Sequence, residues 1–489
     1  MSSVLIASSY FYKLDSKQWK FKQPYPPLGT LLAASVIRDL GFSISLFDSS
    51  LKKSPVEISE YLTKESPRYL VIYDDGFNYL TKMCLTVMRG AAFSMAEEGK
   101  RSGCTVIISS SDASDHYEKY FSHDVDYVIR GEGEETLKEL LQALERKEDP
   151  SNIQGIAFNQ NAISTVTPPR AVIRDLDSLP LPAWDLIDME AYRQLWLKHH
   201  GYFSLNLATT RGCPFKCNWC AKPIYGNRYN SRSVSHVVDE IELLLKNYNP
   251  DHFWMSDDIF GLKPGWVTSF RDEVIKRGLT FNYKIQSRVD LLAEENTIDA
   301  LAESGAETVW VGAESGSQKI LNAMDKGTTV EQIRETRLLL KQKGIKAAFF
   351  LQFGYPGESK EDINATLQMV LDLMPDEIGI SVSYPLPGTK FYENVKAGLH
   401  EKQNWSDSDD LAMMFAGTYS SSFYKILHRY VHNRYRIQRG INQLKDWSKQ
   451  PRVPMALDFK RIASMVFHLP FALINVFQLR HLSKANGSN

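Results

Sequence analysis

The segment Thr210–Arg211–Gly212–Cys213–Pro214–Phe215–Lys216–Cys217–Asn218–Trp219–Cys220 places three of the chain's five cysteines within eight residues. Thiolates are soft ligands that suit iron–sulfur clusters or zinc. With Cys213, Cys217 and Cys220 at x3 and x2 spacing, a four-iron cluster held here would keep one iron open to an outside ligand, and an open iron is where chemistry can happen. Zinc is the alternative reading, but a structural zinc wants four closed ligands. Cys84 and Cys104 lie far upstream, His199 and His200 just before the loop, and none is an obvious fourth ligand.

Other residues able to do chemistry recur downstream. In Ser256–Asp257–Asp258 a carboxylate could receive an ammonium group or cap the next helix. Arg288 and Asp290 are either a carboxylate-binding cluster or a solvated pair. Gly312–Ala313–Glu314–Ser315–Gly316–Ser317 combines two glycines, which permit close backbone approach, with two side chains that can bond hydroxyls. Gly354–Tyr355–Pro356–Gly357–Glu358 and Tyr384–Pro385–Leu386–Pro387–Gly388–Thr389 read, taken singly, as ordinary turns. Upstream, Gly131–Glu132–Gly133–Glu134–Glu135–Thr136 opens a helix, where backbone N–H groups suit a phosphate.

Each of these segments follows a predicted strand. Between residues 1 and about 160, the runs Val4–Ser8, Ile44–Phe47, Tyr69–Tyr73, Thr105–Ile108 and Tyr127–Ile129 read as strands. They alternate with helical stretches Leu28–Leu40, Thr81–Glu98 and Glu135–Glu145, which implies a doubly wound parallel sheet. Such sheets bind ligands at the carboxyl ends of their strands. Residues 161–200 form a connector in which Pro168, Pro169, Pro180 and Pro182 disfavour regular elements. Alternation resumes over 201–395, with strands at Ser204–Thr209, His252–Met255, Phe281–Gln286, Thr308–Val311, Ala347–Phe353 and Glu377–Ser383. Six βα units predict a partial or complete parallel barrel with its chemistry at the strand carboxyl ends. Residues 396–489 read as a helical cap.

Bulk properties narrow the partners. The 489 residues carry 57 Lys+Arg against 58 Asp+Glu, a net charge of −1, which removes the electrostatic argument for nucleic acid. Met1–Tyr12 reads as a strand rather than a secretory signal, and so few cysteines make no disulfide framework, so a reducing, cytoplasmic setting is expected. Ile462–Leu479 falls short of the roughly 20 apolar residues that span a bilayer. It reads as half of a packed helix pair or as a segment lying on a membrane surface, so at most peripheral membrane contact is expected. Lys425, Arg429, Arg434, Arg436 and Arg439, set among Tyr424, Tyr430 and Tyr435, read as a solvated basic face or one meeting an anionic substrate or membrane.

The Cys-x3-Cys-x2-Cys loop after the first barrel strand resembles the signature of the radical SAM superfamily. The resemblance implies that Cys213, Cys217 and Cys220 hold a [4Fe–4S] cluster whose fourth iron is chelated by S-adenosylmethionine (SAM), and that one electron splits SAM into methionine and a 5′-deoxyadenosyl radical. It further implies SAM-binding roles for Asp257 or Asp258, Arg288, Glu314, Ser315 and Gly354, although Ser-Asp-Asp stands where the family more usually has Gly-Gly-Glu. The first domain resembles the cobalamin-binding domain that precedes one large class of these enzymes, through Pro26–Pro27–Leu28–Gly29, Asp48 and the Gly131–Glu132–Gly133 turn. The Asp-x-His-x-x-Gly motif is absent; the fourth strand ends in Ser109–Ser110–Ser111–Asp112, so no histidine is expected beneath the cobalt. Within this class the chain is most similar to the anaerobic magnesium-protoporphyrin IX monomethyl ester cyclase group.

The expectation is therefore an α/β chain: a cobalamin-binding doubly wound domain, a (βα)6 radical SAM barrel and a helical cap. It would functionalise an unactivated carbon of a small molecule, most simply by methylation, with electrons from a donor such as flavodoxin or ferredoxin. The alternatives are ring formation or rearrangement without methyl transfer, and a non-catalytic iron–sulfur or corrinoid-binding protein.

Overall fold

The computed structural model describes residues 3–83, 85–160, 163–222, 224–449 and 456–485. Cys84 lies outside them. The first sheet contains β1 (Ser3–Ala7), β2 (Ser43–Phe47), β3 (Tyr69–Tyr73), β4 (Thr105–Ser109), β5 (Tyr127–Ile129), β6 (Ile156–Gln160) and β7 (Ile163–Val166), in the order β2-β1-β3-β4-β5-β6-β7. The pairings from β2 to β5 are all parallel. Continuous apolar runs such as Val4–Ala7 and Leu70–Ile72, fully buried, are what a sheet covered by helices on both faces requires. Strand order reverses at β1 and β3, so the crevice outside their carboxyl ends is where this fold offers a ligand site.

Several elements differ from the sequence reading. Helices Ile58–Glu65 and Ser111–Phe121 are additional, and the single helix expected over 81–98 divides into Tyr79–Lys82 and Thr86–Arg101. The Pro-rich connector also holds regular structure. An antiparallel hairpin, β6 and β7, extends the first sheet, and Met189–His200 is a helix. The prolines fall between these two elements rather than inside either. Asp188 caps the helix at Ala191 N, Gly201 ends it at φ 78°, and Tyr192 and Trp196, one turn apart, are fully buried.

The second sheet is β8 (Ser204–Leu207), β11 (His252–Met255), β12 (Asn282–Ser287), β13 (Ala306–Glu314), β14 (Lys346–Phe353) and β15 (Glu377–Val382), all parallel and in sequential order. The edge strands β8 and β15 do not pair, which makes a six-stranded open barrel of the (βα)6 type. A two-strand antiparallel ribbon, β9 (Thr210–Arg211) and β10 (Asn230–Ser231), closes the base of the cysteine loop.

The two sheets are joined through buried polar contacts: Tyr25 Oη with Ser204 Oγ (3.1 Å), Asn206 Nδ2 to Pro26 O (3.1 Å) and Trp196 Nε1 to Pro24 O (2.8 Å). The chain ends in two long helices, Ser421–Lys449 and Ala456–Ala485, packed antiparallel on one another.

Candidate active site

Cys213, Cys217 and Cys220 are unpaired and half-buried on the loop between β9 and β10, at the carboxyl mouth of the barrel. Gly212 fixes the loop's start. Its φ is +78° and a Cβ there would fall 2.3 Å from Arg228 O, so only glycine fits. Asn218, between the second and third cysteines, holds the far side. Its Nδ2 donates to Ala323 O (2.7 Å), its Oδ1 accepts from Tyr355 Oη (3.0 Å), and its backbone O accepts from Phe391 N (2.9 Å).

Burial raises the Cys213 thiol and pushes that of Cys220 up to about 12. The thiolate form would therefore come from metal coordination rather than from free titration. Among the described residues no three His, Cys, Asp or Glu side chains converge as ligands of a single ion do. Three separate soft thiolates on a loop otherwise anchored by its backbone and Asn218 fit a cluster, whose irons each take one ligand.

The acids after β11 have different tasks. Asp257, fully buried, accepts from Thr209 N (2.7 Å), Thr209 Oγ1 (2.8 Å), Thr210 N (2.6 Å) and Thr210 Oγ1 (3.0 Å), and so fixes the turn that leads into the cysteine loop. Burial lifts its carboxyl to about 6 against those four bonds. Asp258 turns to the first domain and pairs with Lys82 Nζ at 2.5 Å. After β12, Arg288 stacks 3.8 Å from the centre of the Phe215 ring, donates to Asp290 (2.9 Å) and Lys326 O (2.9 Å), and directs Nη1 at Cys217 Sγ (3.8 Å). A guanidinium thus lies against the Cys217 sulfur.

Glu314 ends β13 with φ +56°, a strained setting for a non-glycine residue, and pairs with Lys326 Nζ at 2.8 Å; both are buried. Gly316 lets the helix Lys360–Leu373 approach, since a Cβ there would lie 2.4 Å from Ala365 O, and Ser315 Oγ meets Thr366 Oγ1 (3.0 Å). Gly354, at φ +79°, donates its N–H to Glu358 Oε2 (2.7 Å). Burial lifts Glu358 to about 8, and its Oε1 has no partner.

In the first domain Asp48, Ser110 and the Gly131–Gly133 turn lie just beyond the carboxyl ends of β2, β4 and β5, and Gly29, in the first turn of the helix Leu28–Asp39, reaches Asp75 beyond the end of β3. Gly29 N donates to Asp75 Oδ1 (3.0 Å), Ser110 Oγ caps a helix at Ala113 N (2.9 Å), and Gly131, at φ +83°, donates its N–H to Ser114 Oγ (3.2 Å). A Cβ on Gly133 would meet Tyr73 at 2.8 Å. Asp48 accepts from Tyr192 Oη (2.8 Å). Glu132 and Glu134 grip Arg211, the residue two before Cys213, in a buried triad, with Nη2 of Arg211 2.7 Å from Glu134 Oε1.

A narrow crevice separates the two sets of strand ends, lined by Ser8, Tyr10, Asp75, Asn206, Trp254 and Ser256. Asn206 Oδ1 is buried there without a hydrogen-bond partner, an acceptor open to a ligand N–H. Such donors are what the amide arms of a corrinoid carry; a corrin ring itself would require the walls to part. Lys82, Asn218 and Lys326 were not identified from the sequence because their partners are remote in the chain. Asn206 gave a visible signal, a lone amide in the apolar run Leu205–Ala208.

Residues 207–370 match the Radical SAM superfamily. The chain is 32% identical over 283 residues to an uncharacterized methyltransferase of Pyrococcus horikoshii, covering 58% of this chain and 60% of that protein. It is 30% identical over 276 residues to the anaerobic magnesium-protoporphyrin IX monomethyl ester cyclase of Rubrivivax gelatinosus, covering 55% and 49%. The chain thus spans about half to three fifths of the length of these relatives. Among solved structures, the cobalamin-dependent SAM radical enzyme OxsB superposes with a TM-score of 0.74 at 16% identity, covering 98% of this chain and 72% of that one. The radical SAM methyltransferase TsrM of Kitasatospora setae gives 0.67 at 20% identity, covering 81% and 75%. Residues 207–370 thus carry the sequence pattern of the radical SAM superfamily, and the chain as a whole has the fold shared by OxsB and TsrM.

Proposed function

We propose that the protein is a cobalamin-dependent radical SAM enzyme that methylates an unactivated carbon of a small-molecule substrate. The observation that carries this reading is the placement of three free thiols at the mouth of a six-stranded parallel barrel, on a loop whose base is gripped by the first domain's last strand-end turn. When bound, the reduced cluster and SAM supply a carbon radical, and cobalamin supplies a methyl group.

The chain's own residues would divide the work as follows. Cys213, Cys217 and Cys220 hold the cluster, and Arg288 keeps a positive charge against Cys217. The SAM amino group falls to Ser256 and Asp258, with Asp257 holding the turn beneath them. Ser315 and the Glu314–Lys326 pair face the ribose and methionine side, and the Gly354 turn faces the adenine. In the first domain Asp48 and Glu132 are engaged by Tyr192 and Arg211, and the Gly29 and Gly131 N–H groups by Asp75 and Ser114, so a nucleotide tail would be met by the turn at Gly133 and the hydroxyl of Ser110. Asn206 offers its free oxygen to the corrinoid's amide arms. The reductant would be a small low-potential protein such as flavodoxin or ferredoxin, in the cytoplasm.

The test is growth with cobalamin, anaerobic purification, reconstitution with iron and sulfide, and product analysis with substrate. Methylation consumes two SAM molecules per turnover, so 5′-deoxyadenosine and S-adenosylhomocysteine should appear in equal amounts. Substrate-dependent 5′-deoxyadenosine without S-adenosylhomocysteine would instead favour ring formation, the second reading, which the 30% identity to cyclases supports. Protein that retains no cobalamin after such growth would remove that cofactor.

A further inference from the structure

The last helix, Ala456–Ala485, holds a largely polar stripe against the protein and turns most of its large apolar residues outward, Leu479 and Leu482 excepted. The stripe facing the protein runs Asp458, Arg461, Met465, His468, Ala472 and Asn475, alternately three and four residues apart. It is fastened to the helix Ser421–Lys449 by hydrogen bonds. Arg461 Nη1 donates to Gln443 Oε1 (2.8 Å), Asn433 Nδ2 to Asn475 Oδ1 (2.9 Å), His468 Nδ1 to Asn433 Oδ1 (2.8 Å), and Arg436 Nη1 to His468 Nε2 (2.9 Å). Gly440 brings the two helices close, since a Cβ there would lie 2.4 Å from Met465 Cβ. The opposite face presents Phe459, Val466, Phe467, Leu473, Ile474 and Phe477, which are 51–69% exposed. A helix folding against a core in water has the reverse pattern, and an apolar face this long marks an interaction surface.

Charge identifies what covers it. Residues 421–489 carry twelve Lys and Arg against two Asp, in a chain whose 57 basic and 58 acidic side chains balance overall. Lys460 and Arg480, both exposed, flank the apolar run, where long basic side chains can reach headgroups while the helix lies among acyl chains. We propose that this face seats the protein on the surface of an anionic lipid bilayer. A second copy fits poorly, because it would bring two such basic segments together. A spanning helix fits poorly as well: by length and composition the helix could cross a bilayer. But its polar stripe is bonded to a neighbour bearing exposed Arg429, Arg436 and Lys445, which would be drawn into hydrocarbon with it.

The experiment is co-sedimentation of the full reconstituted chain with phosphatidylcholine vesicles, with and without phosphatidylglycerol. Binding is expected only with the anionic lipid and should weaken with salt. Replacing Phe467, Ile474 and Phe477 by Ser, all outward-facing, should weaken it by about tenfold or more without changing helix content. Lys460→Glu with Arg480→Glu should do the same through charge. The proposal is overturned if the unaltered chain stays in the supernatant with anionic vesicles. It is also overturned if both variants bind as before, if light scattering finds a dimer that the Ser variant disperses, or if native membranes release the protein only to detergent.

Discussion

Asp257 and Asp258 are adjacent and differ in everything but charge. Asp257→Ala would strand two backbone amides and two hydroxyls in a dry turn and is expected to cost on the order of 3 kcal/mol in urea unfolding. Asp258→Ala breaks a partly exposed pair with Lys82 and should cost at most about 1 kcal/mol, yet weaken SAM binding by about 1.5–3 kcal/mol in a titration that leaves the cluster absorbance intact. An unchanged SAM affinity in Asp258→Ala would confine that acid to holding the domains together. At this scale the sequence was legible where spacing is local: three cysteines in eight residues must share one loop whatever the fold around them. It was not legible where a role depends on a remote partner. Lys326 matters because it reaches Glu314, and Arg288 because folding lays it against Cys217; nothing in their neighbours along the chain says so.

The turn after β14 shows how an element can store a charge state. Glu358 is buried, accepts only from Gly354 N, and burial lifts it from the ordinary glutamate value to about 8. Its folded value lies above its unfolded one, so the stability tied to its proton is fully present below about pH 4.5 and is lost as pH rises through about 8. Unfolding free energy should therefore fall by a few kcal/mol between pH 5 and 8.5, on the order of 1.4 kcal/mol per unit at most. Glu358→Gln, which keeps the acceptor and cannot ionise, should flatten the slope; equal slopes in both proteins would refute this origin. Elements with long one-sided or continuous apolar runs were readable, which is why the barrel strands fall within a few residues of expectation. The hairpin of β6 and β7 and the helix Met189–His200 were hidden by prolines that bound them without entering them.

Across the whole molecule the decisive contact is Arg211 between Glu132 and Glu134, which ties the cysteine loop of the barrel to the last strand-end turn of the first sheet. Arg211→Met would leave two buried carboxylates without a counter-charge and should cost about 3–5 kcal/mol by denaturant midpoint. Adding Glu132→Gln and Glu134→Gln should recover part of that loss; no recovery would mean the three residues do not act as a unit. Both sheets were visible in the sequence because each is a series of strands alternating with helices. Their docking was not, because Arg211 reads as part of the cysteine signature and Glu132 as part of a glycine turn, 79 residues apart. The central claim is that the cysteine loop holds a cluster that cleaves SAM. Its most direct test is iron content and 5′-deoxyadenosine formation after anaerobic reconstitution and reduction, in the unaltered chain, Cys104→Ala and Cys217→Ala. The account predicts about four irons per chain and SAM cleavage in the first two and neither in the third; a Cys217→Ala protein that keeps its irons and still yields 5′-deoxyadenosine would contradict it.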